Sequence, residues 1–201
     1  MKEFDKLINA YSFPDSIDLT KNYLQKYWLT EDEYLNKWKS IQTLIFSLSE
    51  VFPKMVFNSG IELLLLKGGL LFVKNEFETL RKCLRTTNDK YFIIIEDFDE
   101  LKPPHESGPL IRLKYPVDVT WEEINIGDGL SYELYQRPIR NYFVFGDSGN
   151  WGKYVANDYK YPLDIFGFQK EYASLFITNF KMTKKEEQEI KDWIPLDYKA
   201  R

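Results

Sequence analysis

Residues 142–168, YFVFGDSGNWGKYVANDYKYPLDIFGF, indicate the fold more directly than any other part of the chain. Aromatic and β-branched residues alternate with polar ones on both sides of Asp147-Ser148-Gly149-Asn150. This pattern is typical of two antiparallel strands joined by a tight turn whose residues tolerate positive φ. A third short strand, Leu163–Phe168, is predicted after Tyr161-Pro162. The segment therefore predicts an antiparallel sheet.

A long helix is predicted before the sheet, between Thr30 and Phe52. Thr30-Glu31-Asp32-Glu33 has the form of a capping box, in which the Thr hydroxyl accepts from the third backbone N–H and the Glu reaches back. Apolar residues then recur at three- and four-residue spacing until Pro53, which predicts one buried stripe. Its members are Tyr34, Leu35, Trp38, Ile41, Leu44, Ile45, Leu48 and Phe52, and those expected to pack against the sheet are Trp38, Ile41, Ile45 and Leu48.

Further elements follow from changes in apolar spacing and from capping residues. Residues 61–66 and 70–74 flank Gly68-Gly69 and predict a hairpin or two elements divided by a sharp turn. The other predicted elements are a helix capped by Asn75, a continuous apolar strand at 91–95, a loop at 98–109, a strand at 110–114, a short helix capped by Thr120, and helices at 171–180 and 183–193, the last capped by Thr183.

Together these elements predict an α+β fold: a helical N-terminal segment followed by a mostly antiparallel sheet with helices packed on one side. The length of 201 residues fits a single domain, 1–201. Within it we expect a helical N-terminal part at 1–57, an α+β sheet core at 61–180 and a C-terminal helix at 183–194.

The charge of the chain favours some partners over others. Its 31 acidic and 27 basic residues give a formal net charge of −4. An acidic chain repels phosphate backbones, so we expect no nucleic-acid partner, whereas a basic protein would be attracted. The charge alone leaves the oligomeric state open.

The cysteine usage and the N-terminus bear on location. Cys83 is the only cysteine, so no intramolecular disulfide can form, which fits a reducing compartment. The first residues, MKEFDKLINAYSF, lack the apolar core of a secretory signal, and the apolar run around Leu63–Leu66 is too short to span a bilayer. We therefore expect a cytoplasmic protein without a membrane partner.

Ser148 lies in FVFGDSGN, residues 143–150, which invites comparison with the Gly-Asp-Ser nucleophile block of the GDSL esterases. A serine nucleophile needs a base within hydrogen-bond reach, usually a histidine. The chain has one histidine, His105, which lies upstream in a Pro-rich loop. Ser148 is therefore interpreted as a residue of the hairpin turn, and a hydrolase that uses Ser148 remains an alternative.

Four carboxylates follow the apolar strand at 91–95: Glu96, Asp97, Asp99 and Glu100. Oxygen ligands of this kind bind Mg²⁺ or Ca²⁺, so a metal-dependent hydrolase is a second enzymatic alternative. No calcium-loop motif and no His or Cys ligand accompanies them, and we predict neither a metal nor a cofactor. We interpret the cluster as a solvated acidic loop or as a surface for a basic protein. The aromatic candidates for partner recognition are Trp151 and Tyr154.

From residue 121 to residue 180 the chain has a short acidic helix, an apolar strand, a Gly-Asp-Ser-Gly-Asn turn, two further strands and an aromatic-bearing helix. The residues that define this pattern are Phe143, Phe145, Gly146, Asp147, Gly149, Tyr154, Phe176 and Phe180. The pattern resembles the C-terminal half of the SMI1/KNR4 (SUKH) superfamily. There, a strand ending in Gly-Asp-x-Gly leads through paired strands to a closing helix.

The resemblance implies a function. Bacterial members of this superfamily are mostly immunity proteins that bind and block a toxin, often a nuclease, without catalysis of their own. We therefore predict a non-catalytic cytoplasmic protein-binding module whose partner is a basic, toxin-like protein, bound through Glu96, Asp97, Asp99, Glu100, Trp151 and Tyr154. The two kinds of hydrolase and a structural or scaffold protein are the alternatives.

Overall fold

The computed structural model describes residues 5, 17–68, 73–97, 110–125, 141–157 and 160–199. Its strands are β1 Glu62–Lys67, β2 Tyr91–Glu96, β3 Arg112–Pro116, β4 Tyr142–Gly146, β5 Trp151–Ala156 and β6 Leu163–Phe168. They form one sheet in the order β1-β6-β5-β4-β2-β3, and every neighbouring pair is antiparallel. The predicted α+β class and antiparallel sheet are confirmed.

The helices surround this sheet. They are α1 Ile17–Tyr27, α2 Glu31–Glu33, α3 Lys39–Ile45, α4 Lys74–Thr86, α5 Trp121–Ile124, α6 Ala173–Asn179, α7 Lys184–Ile190 and α8 Leu196–Lys199. A π-helical turn, Tyr34–Trp38, joins α2 to α3, and a 3₁₀ turn, Lys170–Tyr172, precedes α6. Within the described ranges no helix has the length and apolar character needed to cross a membrane.

The hairpin predicted from residues 142–168 is present. Strands β4 and β5 pair from Tyr142 opposite Val155 to Phe145 opposite Gly152. The turn between them places Gly149 at a φ of 67°, a conformation that favours glycine because it has no Cβ. The Gly149 N–H donates to the Gly146 carbonyl at 3.2 Å. The third strand, β6, has the predicted bounds.

Helices cover both faces of the sheet, whereas the sequence predicted cover on one side. On the first face, Trp151, Phe166 and neighbouring strand residues pack against apolar side chains of α1, α4 and α6. On the second face, Phe145, Ile165 and their neighbours pack against Trp38, Ile45 and the segment that follows α3. The physical reason lies in β4, β5 and β6, which are buried at every position and therefore need a cover on each side.

Two glycines shape the second face. Gly152 and Gly167 lie directly opposite each other in β5 and β6. A Cβ on Gly152 would collide with the ring of Phe46, and a Cβ on Gly167 would collide with the ring of Phe57. The two rings occupy this space with their centroids 5.0 Å apart. The glycine pair therefore makes a shallow depression that accepts the Phe46–Phe57 ring pair.

The long N-terminal helix ends earlier than predicted, at Ile45 instead of Phe52. Phe46 adopts an extended conformation and forms an antiparallel bridge with Phe57. The helix stops because the Phe46 ring is buried in the depression described above, not because of Pro53. Trp38 and Ile45 are buried as predicted and Ile41 is half-buried, but Leu48 lies beyond the helix and is 39% exposed.

Capping residues are confirmed in part. Thr120 and Thr183 form complete capping boxes with Glu123 and Glu186. The Thr30 hydroxyl accepts from the Glu33 N–H as predicted, at 3.2 Å. The Glu33 carboxylate, however, accepts from the Trp38 indole at 3.3 Å and from the Lys114 ammonium at 2.6 Å, the second of which is a charge-assisted hydrogen bond.

Some predicted boundaries shift. The helix expected to be capped by Asn75 begins at Lys74 after Val73, so Asn75 lies inside it, and the strand expected at 110–114 is Arg112–Pro116. Residues 61–66 correspond to β1, which pairs with β6. Residues 70–72, which are most of the second half of that prediction (70–74), and the loop at 98–109 lie outside the described residues.

The packing of α3 gives a direct test. Ile45 is fully buried against the second face, whereas the adjacent Leu44 is 55% exposed. Ile45→Ala should lower the free energy of unfolding by about 2–5 kcal/mol, because it removes buried methyl groups and leaves a cavity. Leu44→Ala is the matched control and should cost less than about 0.5 kcal/mol. Urea denaturation measures both values, and equal losses would show that α3 does not pack as described.

Candidate functional site

A cavity of about 210 Å³ opens where the C-terminal end of β2 meets the N-terminal ends of β3 and β4. The segment that follows α3 forms its outer wall. We call it the acidic cavity, and its lining residues are Tyr34, Gln42, Leu48, Glu50, Val51, Ile95, Glu96, Asp97, Leu110, Arg112 and Phe143. Two of the four carboxylates predicted from the sequence, Glu96 and Asp97, therefore lie in one cavity.

Glu96 is a buried residue and not an exposed surface charge. Only 3% of its surface is exposed. Its backbone N–H donates to the Ile111 carbonyl at 2.9 Å, and its Oε2 accepts from the Ile111 N–H at 3.1 Å. The side chain thus continues the β2–β3 hydrogen-bond ladder where the backbone pairing ends. The prediction that Glu96 contributes a solvated rim charge is wrong, because this backbone donor holds the carboxylate inward.

Asp97 is half-buried beside Glu96 and contacts a second predicted residue. Its N–H donates to the Asn141 carbonyl at 2.8 Å, and its Oδ2 accepts from the Tyr154 hydroxyl at 2.5 Å. The Tyr154 ring is fully buried between Phe52 and Phe143, with centroid distances of 5.4 and 5.1 Å. The prediction that Tyr154 lies at the surface is therefore wrong. Tyr154 is a core residue whose hydroxyl orients Asp97.

A cation and a phenol complete the polar lining. Arg112 is 8% exposed, its Nε donates to the Leu29 carbonyl at 3.3 Å, and its guanidinium lies 5.7 Å from the Trp28 ring centroid. Tyr34 donates to Gln42 Oε1 at 2.8 Å. Burial raises the pKa of Tyr34, and the charge of Arg112 opposes that shift only in part. Tyr34 therefore stays neutral, and the charged residues among the described part of the lining are Glu50, Glu96, Asp97 and Arg112.

Trp151, the other aromatic residue predicted to recognise a partner, is also buried. It lies on the first face, where its indole N–H donates to Asp89 Oδ2 at 2.9 Å and its ring packs 5.9 Å from Phe176. The prediction of an exposed recognition residue fails because β5 is covered on both faces. Asp99, Glu100 and His105 lie outside the described residues.

Ser148 has the contacts of a turn residue. Its backbone N–H donates to Asp89 Oδ1 at 2.7 Å, and its Oγ accepts from the Asn150 N–H at 3.3 Å. The neighbouring Asp147 carboxylate accepts from the Lys90 and Tyr91 N–H groups at 2.7 and 3.1 Å. The two aspartates therefore fasten the β4–β5 turn to the chain that enters β2. Burial raises the pKa of Asp89, although its hydrogen bonds from Thr87, Ser148 and Trp151 oppose this.

A buried charge cluster of Lys153, Glu76 and Asp164 was not predicted from the sequence. Lys153 is fully buried at the centre of β5, and its ammonium contacts Asp164 Oδ2 at 2.9 Å and Glu76 Oε1. Burial lowers the pKa of this ammonium, but the carboxylates of Asp164 and Glu76 outweigh burial and raise it above its usual value. Lys153 is therefore a cation held by ion pairs, which does not suit it to act as a nucleophile.

The sequence did contain a signal for this cluster. Lys153 shares a strand face with Trp151 and Val155, and Asp164 shares a face with Phe166 and Phe168. Opposite charges at inward positions of two neighbouring apolar strands indicate a buried ion pair. Glu76 could not be found in this way, because it comes from α4, far away in the sequence.

Glu76 also reaches a second cavity, of about 520 Å³, between α4 and the segment after α6. Its lining mixes the apolar side chains of Leu66, Val73, Phe180 and Met182 with amide, hydroxyl and charged groups of both signs. Among the described residues, no group of three His, Cys, Asp or Glu side chains is arranged to hold a metal ion.

Comparison with family models, with curated proteins and with solved structures found no match to this chain.

The role of Ser148 can be tested by Ser148→Ala. The substitution removes the hydroxyl contacts to the Asn150 N–H and to the Asp89 carboxylate, and it keeps the backbone donor to Asp89. We expect the free energy of unfolding to change by less than about 1 kcal/mol in thermal melts. A panel of ester substrates provides the second measurement. Hydrolysis by the wild type that is lost in the variant, with the fold intact, would contradict the interpretation of Ser148 as a turn residue.

The buried charge cluster makes a prediction about stability. Lys153→Met leaves the buried Asp164 carboxylate and the half-buried Glu76 carboxylate without their shared cation, so it should cost about 3–5 kcal/mol of unfolding free energy at neutral pH. Protonation of the carboxylates relieves this repulsion. The folded variant then binds more protons than its unfolded chain, and its deficit relative to the wild type should shrink as the pH falls.

Two variants serve as controls in urea denaturation at neutral and acidic pH. Lys153→Met combined with Glu76→Gln and Asp164→Asn should recover part of the loss, because no buried charge remains. Lys160→Met, at an exposed position, should change stability little. A loss of less than about 1 kcal/mol for the single variant Lys153→Met would mean that the three charges are not coupled.

Proposed function

We propose that this protein is a non-catalytic protein-binding module whose partner is a basic protein. The observation that carries the proposal is the acidic cavity, whose described lining includes three acidic residues and one arginine, together with exposed apolar residues. Leu48 and Val51 are 39% and 42% exposed there. Apolar groups next to charges of one sign are a usual composition for a surface that binds an oppositely charged protein.

The overall charge supports the same partner class. A net charge of −4 attracts a basic protein over a distance and disfavours binding to phosphate backbones. The contacts of Ser148 and Lys153 are also accounted for by the turn and by the buried ion pairs, without a catalytic role.

The biological role we propose is that of an immunity protein that neutralises a basic, nuclease-like toxin in the cytoplasm. The resemblance of residues 121–180 to the SMI1/KNR4 (SUKH) superfamily supports this role. The order of elements on which it rests is α5, β4, turn, β5, β6 and α6. A single cysteine, buried in α4 with its pKa raised to about 11 by burial, is compatible with a reducing compartment.

The proposal predicts how association depends on charge. The full chain is used as bait to recover its partner, and association is then measured by surface plasmon resonance at low and physiological salt. Glu50→Gln combined with Asp97→Asn should slow association several-fold at low salt and flatten its salt dependence, because these carboxylates lie at the opening of the acidic cavity.

Glu187→Gln combined with Asp192→Asn is the matched control. It changes the net charge by the same amount. Glu187 lies in α7, which contacts β1, and Asp192 lies just beyond α7, and both residues are exposed. This control should retain most of the association rate. Recovery of an acidic partner, or an equal effect of the two double variants, would overturn the proposal that the acidic cavity attracts the partner.

A further inference from the structure

We infer that the outer edge of β1 pairs with β1 of a second copy of this chain, so that the two sheets join into one across a two-fold axis. The inference goes beyond the proposed function and does not depend on the acidic cavity. It is carried by three properties of the described residues: the outward backbone groups of β1, its half-buried leucines, and the opposite charges beside its two ends.

The backbone of β1 is paired on one side. The Gly68 N–H donates to the Pro162 carbonyl at 3.3 Å, just beyond the β1–β6 ladder. Bonded and non-bonded pairs alternate along an antiparallel ladder, so the even-numbered residues of β1 direct their N–H and C=O groups to β6. Leu63 and Leu65 therefore direct theirs away from the sheet. Within the described ranges no strand or loop pairs with these outward groups.

The opposite edge of the sheet, β3, is protected. A β-bridge from Trp28 and a hydrogen bond from the Leu29 N–H, at 2.9 Å, cover part of it, and the strand ends at Pro116. Natural sheets protect their edges by such cover, by proline or by charge, because a bare edge is a template for another strand. β1, with the sequence ELLLLK, has four consecutive leucines and no proline. Its edge therefore has the composition of a strand that pairs.

The leucines of β1 make the strand complementary to itself. Leu64 and Leu66 pack against the first face and Leu63 and Leu65 against the second, and all four are half-buried. Antiparallel pairing centred on Leu64 places Leu63 of each copy opposite Leu65 of the other, so their outward N–H and C=O groups bond reciprocally. The second strand then continues the apolar layer on each face, and cross-strand apolar pairs of this kind stabilise a sheet.

The charges beside β1 favour a second copy over an unrelated strand. Glu62 begins β1, and Lys181 lines the cavity of about 520 Å³ together with Leu66, near the other end of the strand. In the described part of the chain, neither Glu62 nor Lys181 forms an ion pair. Pairing centred on Leu64 places Glu62 opposite Leu66 of the second copy and therefore beside its Lys181. The two-fold axis forms this contact twice and keeps the two Glu62 carboxylates at opposite ends of the paired strands.

The test measures the mass of the full chain by sedimentation equilibrium over a range of micromolar concentrations. We expect the mass to rise from that of one chain, 24.0 kDa, towards twice that value. Amide exchange of the isotope-labelled chain, followed by NMR, locates the interface. Exchange at the Leu63 and Leu65 N–H groups should slow at least about tenfold as the concentration rises, because these groups are bonded only in the dimer. The Leu64 and Leu66 N–H groups, which bond to β6, should be protected at every concentration.

Leu65→Pro removes one outward donor and should give a monomer at every concentration. The Leu65 N–H takes no part in the β1–β6 ladder, and proline is accepted in edge strands at positions whose N–H faces outward. Circular dichroism checks that this variant is folded. Leu65→Val is the matched control, because it keeps the N–H and an apolar side chain, and it should still dimerise.

An exchange of charges keeps the inference falsifiable if Leu65→Pro does not fold. Glu62→Lys should weaken dimerisation at least about fivefold, because it brings two ammonium groups together at both ends of the paired strands. Glu62→Lys combined with Lys181→Glu should restore dimerisation, because the opposite charges meet again. Asp118→Lys, at an exposed position beyond the protected edge of β3, makes the same change of charge and should dimerise like the wild type.

The mass of one chain at every concentration would overturn the inference. A dimer that survives in folded Leu65→Pro, or the absence of any recovery in the charge-exchanged variant, would also overturn it. Protection of the Leu63 and Leu65 N–H groups only after the recovered basic partner is added would show that the edge of β1 binds that partner and not a second copy. These outcomes leave the proposed function untouched, because its test uses Glu50 and Asp97 at the acidic cavity.

Discussion

The depression formed by Gly152 and Gly167 governs much of the second face of the sheet. Because neither residue has a Cβ, the Phe46 and Phe57 rings can approach the backbones of β5 and β6. Burial of Phe46 in this space ends α3 at Ile45 and brings the chain back through the Phe46–Phe57 bridge. The segment between these two phenylalanines then passes the ends of β2 and β4. It carries Leu48, Glu50 and Val51 to the opening of the acidic cavity.

The buried charge cluster specifies the register of strands β5 and β6 in the same sheet. Strands β5 and β6 are buried on both faces. A shift of one residue would therefore not expose an apolar side chain to water. The apolar pattern alone thus specifies their register weakly. The pair of Lys153 and Asp164 removes this ambiguity, because a shifted strand would place the ammonium away from its carboxylates. Glu76 extends the same constraint to α4, which it ties to the first face.

The acidic cavity depends on the glycine depression and on the ends of strands β2, β3 and β4. Its floor consists of strand ends whose polar groups are already paired: Glu96 with the Ile111 N–H and Asp97 with the Tyr154 hydroxyl. Its outer wall is the segment that the Phe46–Phe57 ring pair holds in position. A rigid floor with oriented carboxylates and an apolar rim is suited to recognition of a basic protein. The class of protein we propose is therefore a binding module, with the immunity role as its specific form.

Local residue patterns determined several parts of this structure. The alternation in residues 142–168 and the Gly149 turn predicted β4, β5 and β6, and the threonine caps at 120 and 183 predicted the starts of α5 and α7, because these signals depend on near neighbours. Carboxylates after β2 likewise indicated where to look for a site. In contrast, only the tertiary structure decided that Trp151 and Tyr154 are buried, that Glu96 faces inward and that Lys153 meets Glu76. Each of these outcomes depends on contacts between residues far apart in the chain, such as the Tyr154 hydroxyl with Asp97. The periodicity of residues along a strand carries no information about which elements pack on its two faces.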